Sequence, residues 1–152
     1  MARIEASTVI DAPVERVWDV LVDWEAQPRW MVDARSVTVL SPHREGLDVM
    51  LSCRTVIAGG LVVTDRMVTT EWLERSSVGV RHLGPLIRGI GAFDLEPTPE
   101  GTRFVWWEEL DPPLGRVGDL VAGALVVPLV ARVFRSSLAR LKALCEAGEQ
   151  RS

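Results

Sequence analysis

IDAPVERVWDVLVDWEAQPRWM, residues 10–31, decides how the chain is read. Asp11-Ala12-Pro13 places a capping carboxylate just before a proline, and Val14, Val17, Trp18 and Leu21 then recur at helical spacing, so a short helix is expected to about Val22. Trp24 to Met31 holds a proline and two tryptophans in too few residues for a long element, which predicts a second short helix or turn acting as a plug. Upstream, Ile4, Ala6, Thr8 and Ile10 alternate with Arg3, Glu5 and Ser7, the period-two pattern of a half-buried strand.

Downstream the period stays at two. Val37 and Val39, then Val49, Leu51 and Cys53, then a Gly59-Gly60 turn and Leu61 to Leu73 read as strands. Val78 to Leu83, Ile87 to Leu95 and, after Pro97 to Gly101, Thr102 to Leu110 bring the number to about seven. Consecutive strands favour an antiparallel meander. Pro112-Pro113 ends the last strand. Gly115 to Ala147 is helical by pattern, with Val130, Phe134, Leu138, Leu141 and Cys145 on one stripe and Arg132, Arg135, Lys142 and Glu146 on the other face. Pro128 lies inside this helix and predicts a kink, which Gly118 and Gly123 loosen further. The expectation is one α+β domain over residues 1–147 with a short tail at 148–152.

Composition narrows the function classes. A chain of 152 residues can bury roughly two-thirds of its unfolded surface in one core. Net charge is −4, and the 17 basic residues are scattered, which disfavours nucleic acid. Cys53 and Cys145 make no disulfide framework, and the N-terminus carries no apolar run of signal-peptide length, so a cytoplasmic protein is expected. Leu120 to Ala131 is the most apolar segment, but a membrane span needs ~20 residues, so it reads as a buried or interfacial helix rather than a transmembrane segment.

The element order, together with residues 10–31, EWLE (71–74), GTRFVWWEEL (101–110) and FRSSLARLKALCE (134–146), resembles the polyketide cyclase/dehydrase-like families of the START-like superfamily, also called helix-grip or SRPBCC. The likeness spans nearly the whole chain. It implies a seven-stranded antiparallel sheet curved around the C-terminal helix, with a cavity between them for lipids, polyketides, sterols or similar molecules. Enzymes are a minority in that superfamily, and no reaction-defining motif is common to it, so fold alone does not choose a function.

A sheet closing on one helix leaves space wherever short side chains face inward. Gly89 and Gly91 share strand parity with Phe93 and would leave one face without bulk, or would simply let the sheet bend. Trp24, Trp30, Met31, Phe93, Phe104 and Trp106, with Val80, Val130 and Phe134, are the candidates for an apolar lining; the alternative for each aromatic is ordinary core packing. Trp24 and Trp30, on a short connector, are expected near the mouth. The entrance is expected between the bent first part of the long helix, the Trp24 to Met31 plug and the Leu83 to Ile87 loop.

Three residues are candidates for acid/base work. His82 follows Val78 and Val80 in parity and turns inward with them, though a structural or rim histidine fits the same pattern. Glu108 shares parity with Phe104 and Trp106, and Glu71 with Met67 and Thr69; for each carboxylate the alternative is a solvated position near a strand end. Arg54, Arg66 and Arg88 have apolar neighbours of the other parity and are expected to face outward. Metal-ligand spacing, a thiol partner and a dinucleotide loop are all missing, so no metal or cofactor is expected. These features favour a module that binds a small apolar ligand over a cyclase or dehydratase. A third reading, an interaction protein with Leu120 to Val130 as its contact surface, leaves room for a homodimer.

Overall fold

The structure is a computed structural model that describes residues 2–111 and 115–149. The alternation at the N-terminus forms strand β1 (Ala2–Ile10), and helix α1 (Val14–Leu21) follows, burying Val17, Trp18 and Leu21. Asp11 does not cap that helix. The chain enters at Pro13, whose carbonyl accepts from the Arg16 and Val17 amides, while the Asp11 amide donates to the carboxylate of Glu146 (3.0 Å). Asp11 stands two residues upstream of the cap position, too far back to reach the first turn.

A 3-10 helix (Trp24–Arg29) forms the expected short second element. Gln27, 4% exposed, donates through its side-chain amide to the carbonyl of Leu21 and so closes the end of α1. Six strands follow: β2 (Ala34–Val39), β3 (Met50–Val56), β4 (Val62–Leu73), β5 (Ser77–Leu83), β6 (Arg88–Thr98) and β7 (Gly101–Leu110). They form a single curled antiparallel sheet in the order β1-β7-β6-β5-β4-β3-β2, so β1 closes against the last strand of the meander. The fold is α+β, of the helix-grip type.

The register sets which side chains share a face. Along the concave face His82 stands opposite Met67 and Gly89, and Gly89 opposite Leu110. One step along, Val80 faces Thr69 and Gly91, and Gly91 faces Glu108; a further step brings Val78, Phe93 and Trp106 together. The period-two rule breaks once on β4. Between Thr69 and Glu71 the pairing shifts by a bulge, so that Thr69 pairs with Val80 and Glu71 with Gly79.

The gripped element is helical from residue 115 to 149 in three parts: α2 (Gly115–Val121), a π-helical stretch (Ala122–Val126) and α3 (Val127–Glu149). The irregularity sits just before Pro128, where the ring has no N–H to offer the preceding turn. α3 packs along β1 and buries Phe134, Ser137, Leu138, Leu141 and Cys145. Val130 is half-buried. Lys142 and Glu146 do not simply face water: they pair with each other, and Lys142 donates to the carbonyl of Val9. The Pro112-Pro113 stop lies outside the described residues. Leu120, Val121, Leu125, Val126 and Leu129 are exposed, so the apolar stretch of the helix is a surface feature and not the buried one. No helix among the described residues is long and apolar enough to cross a membrane.

Candidate functional site

Between the concave face and α3 lies a cavity of about 900 Å³. Its walls are mainly apolar: Met31, Leu51, Met67, Val78, Val80, Phe93, Trp106, Val130 and Phe134 all contribute. Trp106 and Phe134 stack at 3.7 Å between ring centroids, tying β7 to α3 behind the cavity. Leu86 and Ile87 from the β5–β6 connection, Ile57 and Gly59 from the β3–β4 connection, and Val126 and Leu129 from the helix line it where β3, β5 and β7 end. Leu86 and Leu129 are themselves more than half exposed, so these residues form the rim.

Of the expected lining residues, Trp24, Met31, Val80, Gly91, Phe93, Trp106, Val130 and Phe134 do line this space. Trp30, Gly89 and Phe104 do not. Trp30 and Phe104 are fully buried and pack in the aromatic cluster with Phe93 and Trp106, so they act as support behind the wall. Trp24 is also buried rather than at the mouth, its indole N–H donating to the carbonyl of Arg44. A connector carrying two tryptophans minimises its free energy by burying both, whatever the rim requires. Arg54 and Arg66 are exposed and off the cavity, whereas Arg88, also exposed, reaches its lining together with Arg35 and Arg132.

Polar chemistry converges on one part of the cavity. His82, 6% exposed, donates from Nδ1 to the Asp65 carboxylate (2.9 and 3.0 Å), and its Nε2 lies 3.3 Å from Glu108 Oε1 without a hydrogen bond being formed. Asp65 is on β4, His82 on β5 and Glu108 on β7, with β6 in between. Two residues of β6 make that reach feasible. Gly89 pairs with His82 and Gly91 with Glu108, so the strand between them has no side chain there. A Cβ at Gly91 would stand 2.8 Å from Glu108 Cγ and 3.1 Å from the Trp107 carbonyl. A Cβ at Gly89, where φ is +131°, would lie 2.0 Å from the Glu109 carbonyl. The glycine pair is the floor over which the acid and the imidazole approach.

Glu71 does not belong to this group. It is exposed on the convex face, on a shallow groove with Leu73, Asp94, Glu96 and Arg103. The β4 bulge reverses parity after Thr69, so the alternation that placed Glu71 inward instead turns Trp72 inward, against Trp18 and Trp24.

Two members were not foreseen from the sequence, Asp65 and Asp33. Asp65 could have been found from its parity with Met67. Asp33 stands just before β2 and no periodicity marks it; its backbone carbonyl accepts from the Val56 amide, and its Oδ1 is enclosed without a partner.

Electrostatics follow from this crowding. Burial, then repulsion from Glu108, pushes the Asp33 carboxyl up to about 6. Burial also raises Asp65, outweighing its contact with His82. For His82 burial opposes the charged form, but Asp65 and Glu108 overcome it and carry the imidazole up to about 10. The Asp65–His82 pair thus holds one proton tightly, with Nε2 as its face towards the cavity. Cys53 lies beside Asp65, and burial pushes its thiol up to about 11, which keeps it a packing group and not a nucleophile. No group of metal-ligating side chains occurs among the described residues.

The comparisons with known proteins agree with this fold. The protein TTHA0849 from Thermus thermophilus superposes with a TM-score of 0.78 at 25% identity, over 97% of this chain and 99% of that one. The Zhui aromatase/cyclase from Streptomyces sp. R1128 has a TM-score of 0.78 at 18% identity over 95% and 93% of the two chains. A START superfamily protein from Mycobacterium smegmatis has 0.71 at 17% identity over 99% of each. No curated protein matches the sequence. The model of the family described as polyketide cyclase / dehydrase and lipid transport matches residues 1–146, and with a match of that extent this chain belongs to that family.

Proposed function

We propose that the protein binds a small, largely apolar molecule in the cavity between sheet and helix. The observation that carries this reading is the cavity itself: about 900 Å³, mainly apolar walls, and a few polar groups gathered at one place. That volume lies within the ~300–1,000 Å³ typical of ligand sites, and such a lining gains by excluding water. Native mass spectrometry of the purified protein, with organic extraction of whatever it carries, tests the reading. A bound apolar species, or uptake of an added one at micromolar concentration, is the expected result. A protein that neither carries nor takes up any apolar probe refutes it.

A second reading has its own observation. Asp65 orients His82 so that Nε2 faces Glu108 across the glycine floor, an acid/base pair inside an apolar chamber. On a β-hydroxy ketone one of the two groups would take the proton next to the carbonyl. The other would protonate the departing hydroxyl, which leaves as water. Both Zhui and the family description name cyclase chemistry for relatives. Incubation with a β-hydroxy ketone of matching size separates the readings. Dehydration that disappears in both His82→Gln and Glu108→Gln, with binding retained, supports catalysis; binding without turnover leaves the carrier function.

A further inference from the structure

We infer that the end of the molecule carrying the cavity mouth docks on an anionic lipid surface, with the exposed apolar stripe of the gripping helix at the hydrocarbon boundary and the arginines around the mouth on the head groups.

Leu120 to Ala131 contains no polar side chain. A helix that is apolar on every side belongs where every side is covered. Here only one side is. Val127 and Val130 are half-buried and line the cavity, whereas Val117, Leu120, Val121, Leu125 and Leu129 are exposed, Leu120 by 76% and Leu125 by 64%. Residues 117, 121, 125 and 129 stand four apart, and the π-helical stretch, wound more loosely than an α-helix, offsets the drift of that spacing in α-helical turns, so the four keep close to one stripe. α2 and the π-helical stretch pack mainly on each other and on α3, and among the described residues the stripe is left open. It is continuous with the cavity mouth, because Val126, Leu129 and Leu86 are exposed and line the cavity as well. A contiguous apolar face of this kind marks an interaction surface.

Charge selects the occupant. Three exposed arginines line the cavity: Arg35 at the start of β2, Arg88 at the start of β6, and Arg132, one turn after Leu129 on α3. None of them is in an ion pair among the described residues. Against them stands one exposed carboxylate of the lining, Asp111, since Asp33, Asp65 and Glu108 are buried or half-buried. A chain of net charge −4 thus carries a positive rim beside its apolar stripe. An anionic bilayer satisfies both halves: hydrocarbon takes the leucines and phosphate head groups take the guanidinium groups. A second copy satisfies only the first, because a two-fold contact through this face sets the patch against itself and brings the arginines of the two copies together. Docking in this orientation also turns the cavity mouth towards the lipid phase.

Flotation of the protein with vesicles tests the inference, one set of phosphatidylcholine alone and one containing one-third phosphatidylglycerol. Binding to the anionic vesicles should be at least about tenfold tighter than to the neutral ones, since each arginine near such a surface contributes about fivefold. Leu120→Gln combined with Leu125→Gln keeps charge and helix propensity and should weaken that binding at least about tenfold. Arg88→Gln should weaken it about fivefold, again with an unchanged circular dichroism spectrum. Absence of binding to the anionic vesicles, equal binding to both sets, or undiminished binding by the double variant overturns the inference. So does a wild-type dimer, seen by sedimentation equilibrium, that the double variant converts to a monomer, because a second copy then covers the stripe. Uptake of an apolar probe by the cavity is measured apart and stands or falls independently of these outcomes.

Discussion

At the level of single residues, the cavity shows where strand parity holds and where it fails. His82 and Glu108 sit where alternation from Val78 and from Phe104 puts them, and Glu71 does not, because one extra residue on β4 reverses every later side chain. Asp33 was illegible for another reason: its inward aim comes from tertiary enclosure, which leaves no periodic trace.

Its protonation has a measurable consequence. Its folded-state value of about 6 lies above the unfolded value of 3.8, so between those pH values the folded protein retains a proton that the unfolded chain gives up. Stability therefore falls as pH rises through that window, by about 3 kcal/mol at most, less where water reaches the group. Asp33→Asn should raise the unfolding free energy at pH 8 by about 2 kcal/mol and change little near pH 4, as read by urea titration at the two pH values. His82 acts in a different window. Its value rises from 6.5 to about 10, so its contribution is complete below 6.5 and is lost as pH climbs through 10. The denaturation midpoint should decline between pH 7 and 10 in the wild-type protein and stay flatter in His82→Gln.

Gly91→Ala gives a second residue-scale expectation. The new methyl would meet Glu108 Cγ at 2.8 Å, so the carboxylate must swing off His82. A cost of about 1–3 kcal/mol is expected, together with a histidine that titrates lower than in the parent when followed by NMR.

At the level of elements, helices and strands were readable wherever one face is apolar and one is wet. The six strands after the 3-10 helix begin and end within a few residues of the pattern, and the α3 stripe of Phe134, Leu138, Leu141 and Cys145 is buried as its spacing requires. Pro128 announced an irregular helix, and a π-helical stretch precedes it. What spacing does not reveal is how elements are pinned together. Ser137, fully buried on α3, accepts a hydrogen bond from the Val32 amide (3.1 Å) and so ties the connector ahead of β2 to the helix. Ser137→Ala would leave that amide without a partner. A loss of about 1–3 kcal/mol is expected, seen as a lower Tm with unchanged secondary structure by circular dichroism.

For the molecule as a whole, the cavity means that part of the concave face is left unpaired with protein, so a ligand should add stability by binding the folded state alone. An apolar probe present at 100 times its Kd should contribute about 2.7 kcal/mol, a rise in Tm of roughly 5–10 °C for a chain of this size. Differential scanning calorimetry with and without the probe checks this, and Phe134→Ala, which removes the ring stacked on Trp106, should lower Tm in the absence of ligand by the equivalent of about 3–5 kcal/mol.

Local periodicity was enough for the α+β class, the order of elements and the apolar stripe of the gripping helix, and it offered the inward turn of His82 and Glu108 beside rim or solvated positions as the alternative. These follow from periods of 2.0 and 3.6 residues, local properties that hydrophobic burial enforces. It took the folded chain to show that Glu71 faces out, that Trp30 and Phe104 back the wall instead of forming it, that Asp65 joins His82, and that Asp33 feels the charge of Glu108 and Asp65. A bulge, a packing choice among several aromatics, and the meeting of residues from β2 to β7 each depend on contacts between segments distant in sequence. The Gly89–Gly91 floor shows both halves: the glycines are visible in the sequence, but what passes over them is visible only in the folded sheet.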